Sequence, residues 1–98
     1  MPQHSKRYIV DIDGTICETV DGDYENSRPL NDRIAKINAL HDDGHTIIYW
    51  TARGMVSGKN WRKLTEDQLH QWGCKHHALW MTKPAYDVWV DDKAQWLF

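Results

Sequence analysis

Short apolar runs alternate along the chain with longer segments in which apolar residues recur every three or four positions. The apolar runs predict four strands, at residues 7–12, 46–50, 78–81 and 86–90. The run TIIYW at 46–50 has no charged residue, which is typical of a strand buried on both faces of a parallel sheet. Because strands and helices alternate, the pattern predicts an α/β fold with a small parallel sheet covered by helices.

Two helices are predicted between the strands. Four apolar residues at helical spacing indicate the first one: Leu30, Ile34, Ile37 and Leu40. Asn31 is its predicted N-cap, and Gly44 is placed to end it. The second helix is indicated by Thr65-x-x-Gln68, which has the form of a capping box, and it should end at Gly73.

A polar stretch, residues 16–29, separates the first strand from the first helix. It contains two turn signals, Asp21-Gly22 and Arg28-Pro29. An Asp-Gly pair between short flanks favours a small hairpin over an extended linker. We refer to residues 16–29 as the flap.

Chemically active residues are concentrated at the ends of the predicted strands. The sequence DIDGT (11–15) ends the first strand, Thr51 follows the second, Lys83 follows the third, and Asp91-Asp92 follows the fourth. In open parallel sheets, ligands bind beyond the carboxyl ends of the strands. We therefore expect one site that combines four carboxylates with a hydroxyl and an ammonium group.

This combination suits phosphoryl transfer. A carboxylate can attack phosphorus and form an aspartyl-phosphate, and a second acid nearby can protonate the departing oxygen. Mg²⁺ prefers hard oxygen ligands, while a hydroxyl, backbone N–H groups and a lysine can neutralise phosphoryl oxygens. Four carboxylates around one point would repel each other without that cation and the lysine.

The ordered set of residues resembles the four motifs of the haloacid dehalogenase (HAD) superfamily of phosphohydrolases. DIDGT matches the first motif, Thr51 the second, Lys83 the third and VWVDD the fourth, and together they span residues 8–92. The resemblance implies a HAD-like, Rossmann-like three-layer fold in which a small parallel β-sheet is flanked by helices. It also implies a HAD-type phosphatase.

By this resemblance Asp11 is the nucleophile and Asp13 the general acid/base. Mg²⁺ would be held by Asp11, by the main-chain carbonyl of Asp13, and by Asp91 with Asp92 close behind it. Whether Asp91 or Asp92 ligates the metal directly stays open. The presence of Asp13 favours phosphate esters over carbon–halogen bonds, because a departing halide needs no proton.

The transferring phosphoryl group would be bound by Thr51 and Lys83. Gly14, Ala52 and Arg53 are further candidates, because backbone N–H groups and a guanidinium next to the site can hold phosphate oxygens. Three basic residues lie close to Trp61 in the loop that follows, and they form either a substrate-binding surface or a solvated loop: Lys59, Arg62 and Lys63.

Residues 1–98 are expected to form a single domain without a cap. Only 37 residues separate Asp13 from Thr51, and 31 separate Thr51 from Lys83, which leaves no room for the cap of larger family members. The site should then be open unless the flap or a second subunit covers it. The small core, the six tryptophans and the missing cap favour a homo-oligomer.

Composition limits the cellular location and the kinds of partner that we expect for the protein. The net charge of −2 does not indicate nucleic acid or an anionic membrane as a partner, and no apolar run is long enough to span a bilayer. The N-terminus lacks the apolar stretch of a secretory signal, and Cys17 and Cys74 have no disulfide or metal spacing. We expect a cytoplasmic protein with reduced thiols.

A second resemblance narrows the range of expected substrates. YENSRPL, GHTIIYWTARG and KPAYDVWVDDKA are similar to stretches of short capless proteins encoded beside bacterial capsule and polysaccharide genes. That likeness implies a small phosphorylated metabolite, such as a sugar phosphate or polysaccharide precursor.

The motifs bear on two other classes of protein. The motif order is also similar to the 3′-phosphatase domain of phage polynucleotide kinase, which acts on nucleic-acid ends. The acidic flap and the absence of positive net charge disfavour such a substrate. A two-component receiver domain is excluded by the motif order, because no strand ends in Asp between Asp13 and Thr51.

Overall fold

The computed structural model describes residues 5–54 and 57–81. Within them, strands and helices alternate as the sequence pattern predicts. The elements are β1 (Arg7–Asp11), β2 (Cys17–Glu18), a 3-10 helix (Tyr24–Asn26), β3 (Arg28–Pro29), α1 (Asn31–Asp42), β4 (Thr46–Trp50), α2 (Arg62–Gln71) and β5 (Ala78–Trp80). The predicted strand at 86–90 lies outside the described residues, as do Lys83, Asp91 and Asp92.

The main sheet is parallel and has the order β1-β4-β5. Its register places Asp11 beside Trp50, and Trp50 beside Trp80. The carboxyl ends of three strands therefore form one rim, and the predicted α/β fold with a parallel sheet is confirmed. The third layer of the predicted three-layer arrangement stays a prediction.

A buried cluster joins the sheet to both helices. Val10, Tyr49 and Leu79 are paired in register across the three strands, so they share one face of the sheet, and each is less than a tenth exposed. Ile34 and Ile37 of α1 and Leu69 of α2 belong to the same cluster. On the other face, Ile9 and Trp80 are 51% and 42% exposed. In the described part of the chain no helix is long and apolar enough to cross a membrane.

The flap is a hairpin, as predicted. β2 pairs antiparallel with β3, with Cys17 opposite Pro29 and Glu18 opposite Arg28. At its turn Asp21 and Gly22 both have left-handed φ angles, of 50° and 74°. Aspartate and glycine tolerate that region better than most residues, which explains why this dipeptide marks the turn.

The predicted helix starts were wrong at both helices. α1 begins at Asn31 itself, and its N-cap is Leu30, whose N–H donates to the carbonyl of Ile16 at 2.8 Å. α2 begins at Arg62, three residues before the predicted cap at Thr65. The Thr65 hydroxyl donates to the carbonyl of Trp61 at 2.8 Å, so it lies inside the helix and does not cap it.

Two glycines in the loop after β4 form a matched pair. Gly54 and Gly58 have φ angles of 85° and 73°, and the N–H of Gly58 donates to the carbonyl of Gly54 at 2.8 Å. A Cβ atom on Gly54 would overlap the carbonyl oxygen of Lys59, whereas a Cβ on Gly58 would meet nothing within 4 Å. An alanine would be strained by the left-handed backbone at both positions, but only at Gly54 would its Cβ also collide with a neighbouring backbone atom.

Gly58→Ala should lower the free energy of unfolding by about 1 kcal/mol, because alanine is strained at left-handed φ. Gly54→Ala should lower it by about 3 kcal/mol, since the backbone around Lys59 must also move. Urea unfolding followed by tryptophan fluorescence measures both variants. Equal losses in the two variants would show that the close approach at Gly54 is not a constraint.

Candidate active site

The rim of the sheet brings the first two predicted motifs together. Asp11 is the last residue of β1 and lies next to Trp50 of β4. Thr51 follows directly, and its N–H donates to the carbonyl of Trp80 at 2.9 Å, which ties the end of β4 to β5. The side-chain Oδ1 of Asp11 accepts the N–H of Ile12 at 2.9 Å, so the carboxylate has a fixed orientation.

A tight turn after β1 presents the second carboxylate. The N–H groups of Thr15 and Ile16 both donate to the carbonyl of Ile12, at 3.1 and 3.0 Å. Gly14 takes a φ of 82° in this turn, a left-handed conformation that glycine adopts without a steric penalty. Asp13 is thereby held two residues beyond the strand, and its side chain contacts residues of the flap and of the loop after β4.

The carboxylate of Asp13 is the most heavily bonded group at the rim. Arg53 donates to it bidentately, with Nε 3.0 Å from Oδ2 and Nη2 2.8 Å from Oδ1. The Thr19 hydroxyl donates to Oδ1 at 2.6 Å, and the Thr51 hydroxyl lies 3.4 Å from Oδ2. Paired guanidinium and carboxylate groups of this kind are strong and directional. Asp13 therefore has a single well-defined position between β1 and β4.

Arg53 is fully enclosed by its partners. Its side chain is 0% exposed, and Nη1 donates to Oε1 of Gln68 at 2.6 Å and to the Thr65 hydroxyl at 3.1 Å. The guanidinium carbon lies 4.7 Å from the centre of the Tyr24 ring. A buried cation is costly unless it is paired and hydrogen-bonded, and here Asp13 supplies the charge while α2 supplies neutral acceptors.

These contacts set the ionisation of the two titratable groups in the turn. Partial burial acts to raise the pKa of Asp13, but the hydrogen bonds from Arg53 and Thr19 and the charge of Arg53 outweigh it, so the pKa lies below its ordinary value. Burial raises the pKa of the Cys17 thiol, whose sulfur is 3.6 Å from Oδ1 of Asp13. At neutral pH the site therefore contains an aspartate anion beside a neutral thiol.

The flap is bonded to the site from two sides. Its 3-10 helix is held to α2, because Nε2 of Gln68 donates to the carbonyl of Tyr24 at 2.6 Å. Beside Asp13, the residues that follow β2 and precede β3 are joined by a 2.7 Å hydrogen bond between the hydroxyls of Thr19 and Ser27. The Tyr24 ring also packs edge-on against Trp61, with centroids 5.0 Å apart.

The predicted phosphate-binding residues lie in different environments. Thr51 is buried, and its hydroxyl accepts the N–H of Arg53 at 3.2 Å in addition to its contact with Asp13. Ala52 is exposed between them. The N–H of Gly14 donates within the turn, to the carbonyl of Cys17 at 2.9 Å. The guanidinium of Arg53 pairs with Asp13, so its predicted contact with substrate phosphate stays a prediction.

The metal site is only partly within the described residues. Across residues 5–54 and 57–81, no group of three or more His, Cys, Asp or Glu side chains is arranged to hold a metal ion. The rim supplies two of the predicted ligands, the Asp11 carboxylate and the main-chain carbonyl of Asp13. Both are hard oxygen donors, which fits Mg²⁺.

A cavity of about 230 Å³ opens beside Arg53 and Gly54, and Lys59, Trp61 and Met81 also line it. The ammonium of Lys59 lies 4.3 Å from the centre of the Trp61 ring. A larger cavity, of about 420 Å³, lies between α2 and residues 74–79 and is lined by none of the residues that contact Asp13. The smaller cavity is therefore the one placed to receive a ligand group next to the rim.

Four side chains that bond to Asp13 or Arg53 are absent from the sequence predictions for the site: Thr19, Ser27, Thr65 and Gln68. For the last two, the sequence does contain a signal. Thr65 and Gln68 lie on the same side of α2 as the buried Leu69, and polar residues on an inward face require buried polar partners. Thr19 and Ser27 carried no signal in the sequence, because their role depends on how the flap folds back.

No protein-family model and no curated protein matches the chain. A crystal structure of a structural-genomics target from Vibrio cholerae is similar to it, with 28% sequence identity and a TM-score of 0.76. The match covers 91% of this chain and 81% of that one. The likeness supports the α/β fold over most of the length and assigns no activity.

Asp13→Asn should lower the free energy of unfolding by about 2 kcal/mol or more, because it leaves the enclosed charge of Arg53 without a counter-ion. Asp42→Asn is the control, since Asp42 forms an ion pair with Lys75 in which both side chains are about half exposed, and such pairs contribute little. Urea unfolding at neutral pH compares the two. A loss at Asp13 as small as that at Asp42 would contradict the importance of the buried ion pair.

Proposed function

We propose that the protein is a Mg²⁺-dependent, HAD-type phosphatase that hydrolyses a phosphomonoester of a small metabolite through an aspartyl-phosphate. The observation that supports it most is the meeting of Asp11, Asp13 and Thr51 at the carboxyl rim of β1 and β4. Two carboxylates and a hydroxyl in that arrangement provide a nucleophile, a proton carrier and a phosphate ligand.

In the first step the Asp11 carboxylate attacks phosphorus. A bond forms between an Asp11 oxygen and phosphorus, the bond to the leaving oxygen breaks, and that oxygen takes a proton from Asp13. Because Asp13 is a carboxylate in the free protein, it must take up this proton from solvent before the step. In the second step water attacks the aspartyl-phosphate and passes a proton to Asp13, which releases inorganic phosphate and regenerates Asp11. Asp13 thus alternates between acid and base, and its carboxylate form is the one that accepts the proton from water.

Mg²⁺ fits this scheme as a partner of Asp11 and of the Asp13 carbonyl, with Asp91 and Asp92 as the further proposed ligands. When bound, it would neutralise charge on the phosphoryl oxygens. Thr51 would orient the same oxygens through its hydroxyl, and Lys83 would add a positive charge.

The fold proposed to carry this site is the capless HAD type. The strand predicted at 86–90 would extend the parallel sheet and bring Asp91 and Asp92 to the same rim as Asp11, while Lys83 would reach it from the segment after β5. Helices would then cover both faces of the sheet in three layers. We propose that residues 1–98 act as one domain of a cytoplasmic enzyme, which can associate with copies of itself.

The electrostatics around the rim favour a small substrate over a nucleic-acid end. The flap exposes four carboxylates, which would repel a polyanionic strand lying across it: Glu18, Asp21, Asp23 and Glu25. The cavity of about 230 Å³ beside Arg53 is small and has a cation, Lys59, at its wall, which would favour a small anionic ligand. A sugar phosphate is therefore the class of substrate that we propose.

Phosphate release should be measured with p-nitrophenyl phosphate, sugar phosphates, nucleotides and 3′-phosphorylated oligonucleotides, in Mg²⁺ and in EDTA. We expect turnover that depends on Mg²⁺ and is highest on a sugar phosphate. Asp11→Asn removes the nucleophile, so its turnover should be lower than that of wild type by a factor of about 10³ or more. Highest turnover on the oligonucleotides would replace the small-metabolite proposal with a polynucleotide phosphatase. Full activity in Asp11→Asn or in EDTA would refute the proposed mechanism.

A further inference from the structure

We propose that Gln68 is a positioning residue for Asp13: it fixes both the guanidinium of Arg53 and the flap, which together hold the Asp13 carboxylate at the rim. This inference rests on the proposed phosphatase activity and adds a residue that no motif includes. Gln68 lies on α2, and its side chain bonds to Arg53 and to the carbonyl of Tyr24.

Both polar ends of the Gln68 amide are engaged. Its Oε1 accepts a hydrogen bond from Nη1 of Arg53 at 2.6 Å, and its Nε2 donates to the carbonyl of Tyr24 at 2.6 Å. Gln68 is only 6% exposed. Rotating the amide by half a turn would set its NH₂ group against the guanidinium and its oxygen against a carbonyl. The two partners therefore select one orientation of the amide.

The first consequence concerns Arg53. A guanidinium is planar, so fixing Nη1 fixes the direction in which Nε and Nη2 point. Those two nitrogens donate to the two oxygens of Asp13, at 3.0 and 2.8 Å. Thr65 adds a second acceptor for Nη1 at 3.1 Å, but its hydroxyl is also engaged with the carbonyl of Trp61. Gln68 gives the shorter of the two contacts to Nη1.

The second consequence concerns the flap. The carbonyl of Tyr24 belongs to the 3-10 helix of the flap, and Gln68 ties it to α2. The same flap carries Thr19, whose hydroxyl donates to Oδ1 of Asp13 at 2.6 Å. One glutamine therefore stabilises two independent donors to the same carboxylate, one through Arg53 and one through the flap.

Asp11, the proposed nucleophile, is positioned by the sheet. It is paired in register with Trp50 of β4, and its Oδ1 accepts the N–H of Ile12 at 2.9 Å, within its own strand end. Loss of Gln68 should thus impair proton transfer through Asp13 more than attack by Asp11. This difference separates a positioning role from a role in stability alone.

The test compares two substrates whose leaving groups differ in their need for a proton. An alkyl phosphate such as a sugar phosphate needs a proton on its departing oxygen, whereas p-nitrophenolate departs without one. Gln68→Met keeps the length of the side chain and removes both hydrogen bonds. We expect its kcat/KM to fall about 10- to 100-fold on the alkyl phosphate and to stay within about twofold of wild type on p-nitrophenyl phosphate, because misplacing an acid affects only the step that needs it.

Gln71→Met is the matched control, because Gln71 is the exposed last residue of α2 and the same exchange there removes no contact to Arg53. Its ratio of alkyl to aryl kcat/KM should equal that of wild type. Thr19→Val removes the donor on the flap side, so it should move the ratio in the same direction as Gln68→Met, and it keeps the test informative if Gln68→Met does not fold.

The outcomes separate the two proposals. The first case is that wild type turns over both substrates. If Gln68→Met and Thr19→Val then lower both rates by one common factor, or change neither rate, Gln68 has no positioning role and the phosphatase proposal stands. If wild type turns over neither substrate with Mg²⁺ present, the phosphatase proposal fails and this inference fails with it. A selective loss on the alkyl phosphate, absent in Gln71→Met, supports both.

Discussion

The ion pair between Asp13 and Arg53 is the interaction on which the arrangement of the site depends. A guanidinium with 0% of its side chain exposed needs a counter-ion, and the carboxylate two residues beyond β1 supplies it at 2.8 Å. The pair joins the end of β1 to the loop after β4, and its neutral partners come from α2 and the flap. Four segments of the chain are thereby fixed around one carboxylate.

The two aspartates proposed to share the chemistry, Asp11 and Asp13, are separated by one residue and are held in different ways. Asp11 ends a strand, so its position follows from the sheet register with β4. Asp13 lies in a turn, where the backbone alone would leave its side chain several orientations, and the hydrogen bonds from Arg53 and Thr19 select one of them. Asp11, the proposed nucleophile, is thus positioned by secondary structure, and Asp13, the proposed proton carrier, is positioned by side chains.

The sequence predicted the elements that follow from hydrophobic periodicity and turn residues. β4 was predicted to the residue, β1 and β5 to within one, and the flap hairpin from its Asp-Gly pair, because these signals are local. The predicted start of α2 was wrong for a physical reason. Thr65 and Gln68 have the spacing of a capping box, yet the structure uses both as buried acceptors for Arg53.

Arg53 shows why the site could be predicted only in part. From its place after Thr51 it was interpreted as a ligand for substrate phosphate, since an arginine beside an anion site usually serves that purpose. Its burial and its pairing with Asp13 depend on the folding of α2 and the flap over it, which no local pattern reports. The convergence of Asp11, Asp13 and Thr51, in contrast, followed from the rule that ligand sites form at the carboxyl ends of parallel strands.

Chemical trapping of a phosphorylated intermediate would test the central claim most directly. The protein would be mixed with substrate and Mg²⁺, quenched in acid and treated with borohydride, which reduces an acyl phosphate on aspartate to homoserine, and peptides would then be sequenced by mass spectrometry. The proposed mechanism predicts homoserine at position 11 in wild type and none in Asp11→Asn. Turnover that leaves position 11 unmodified, or homoserine at position 13, would contradict it.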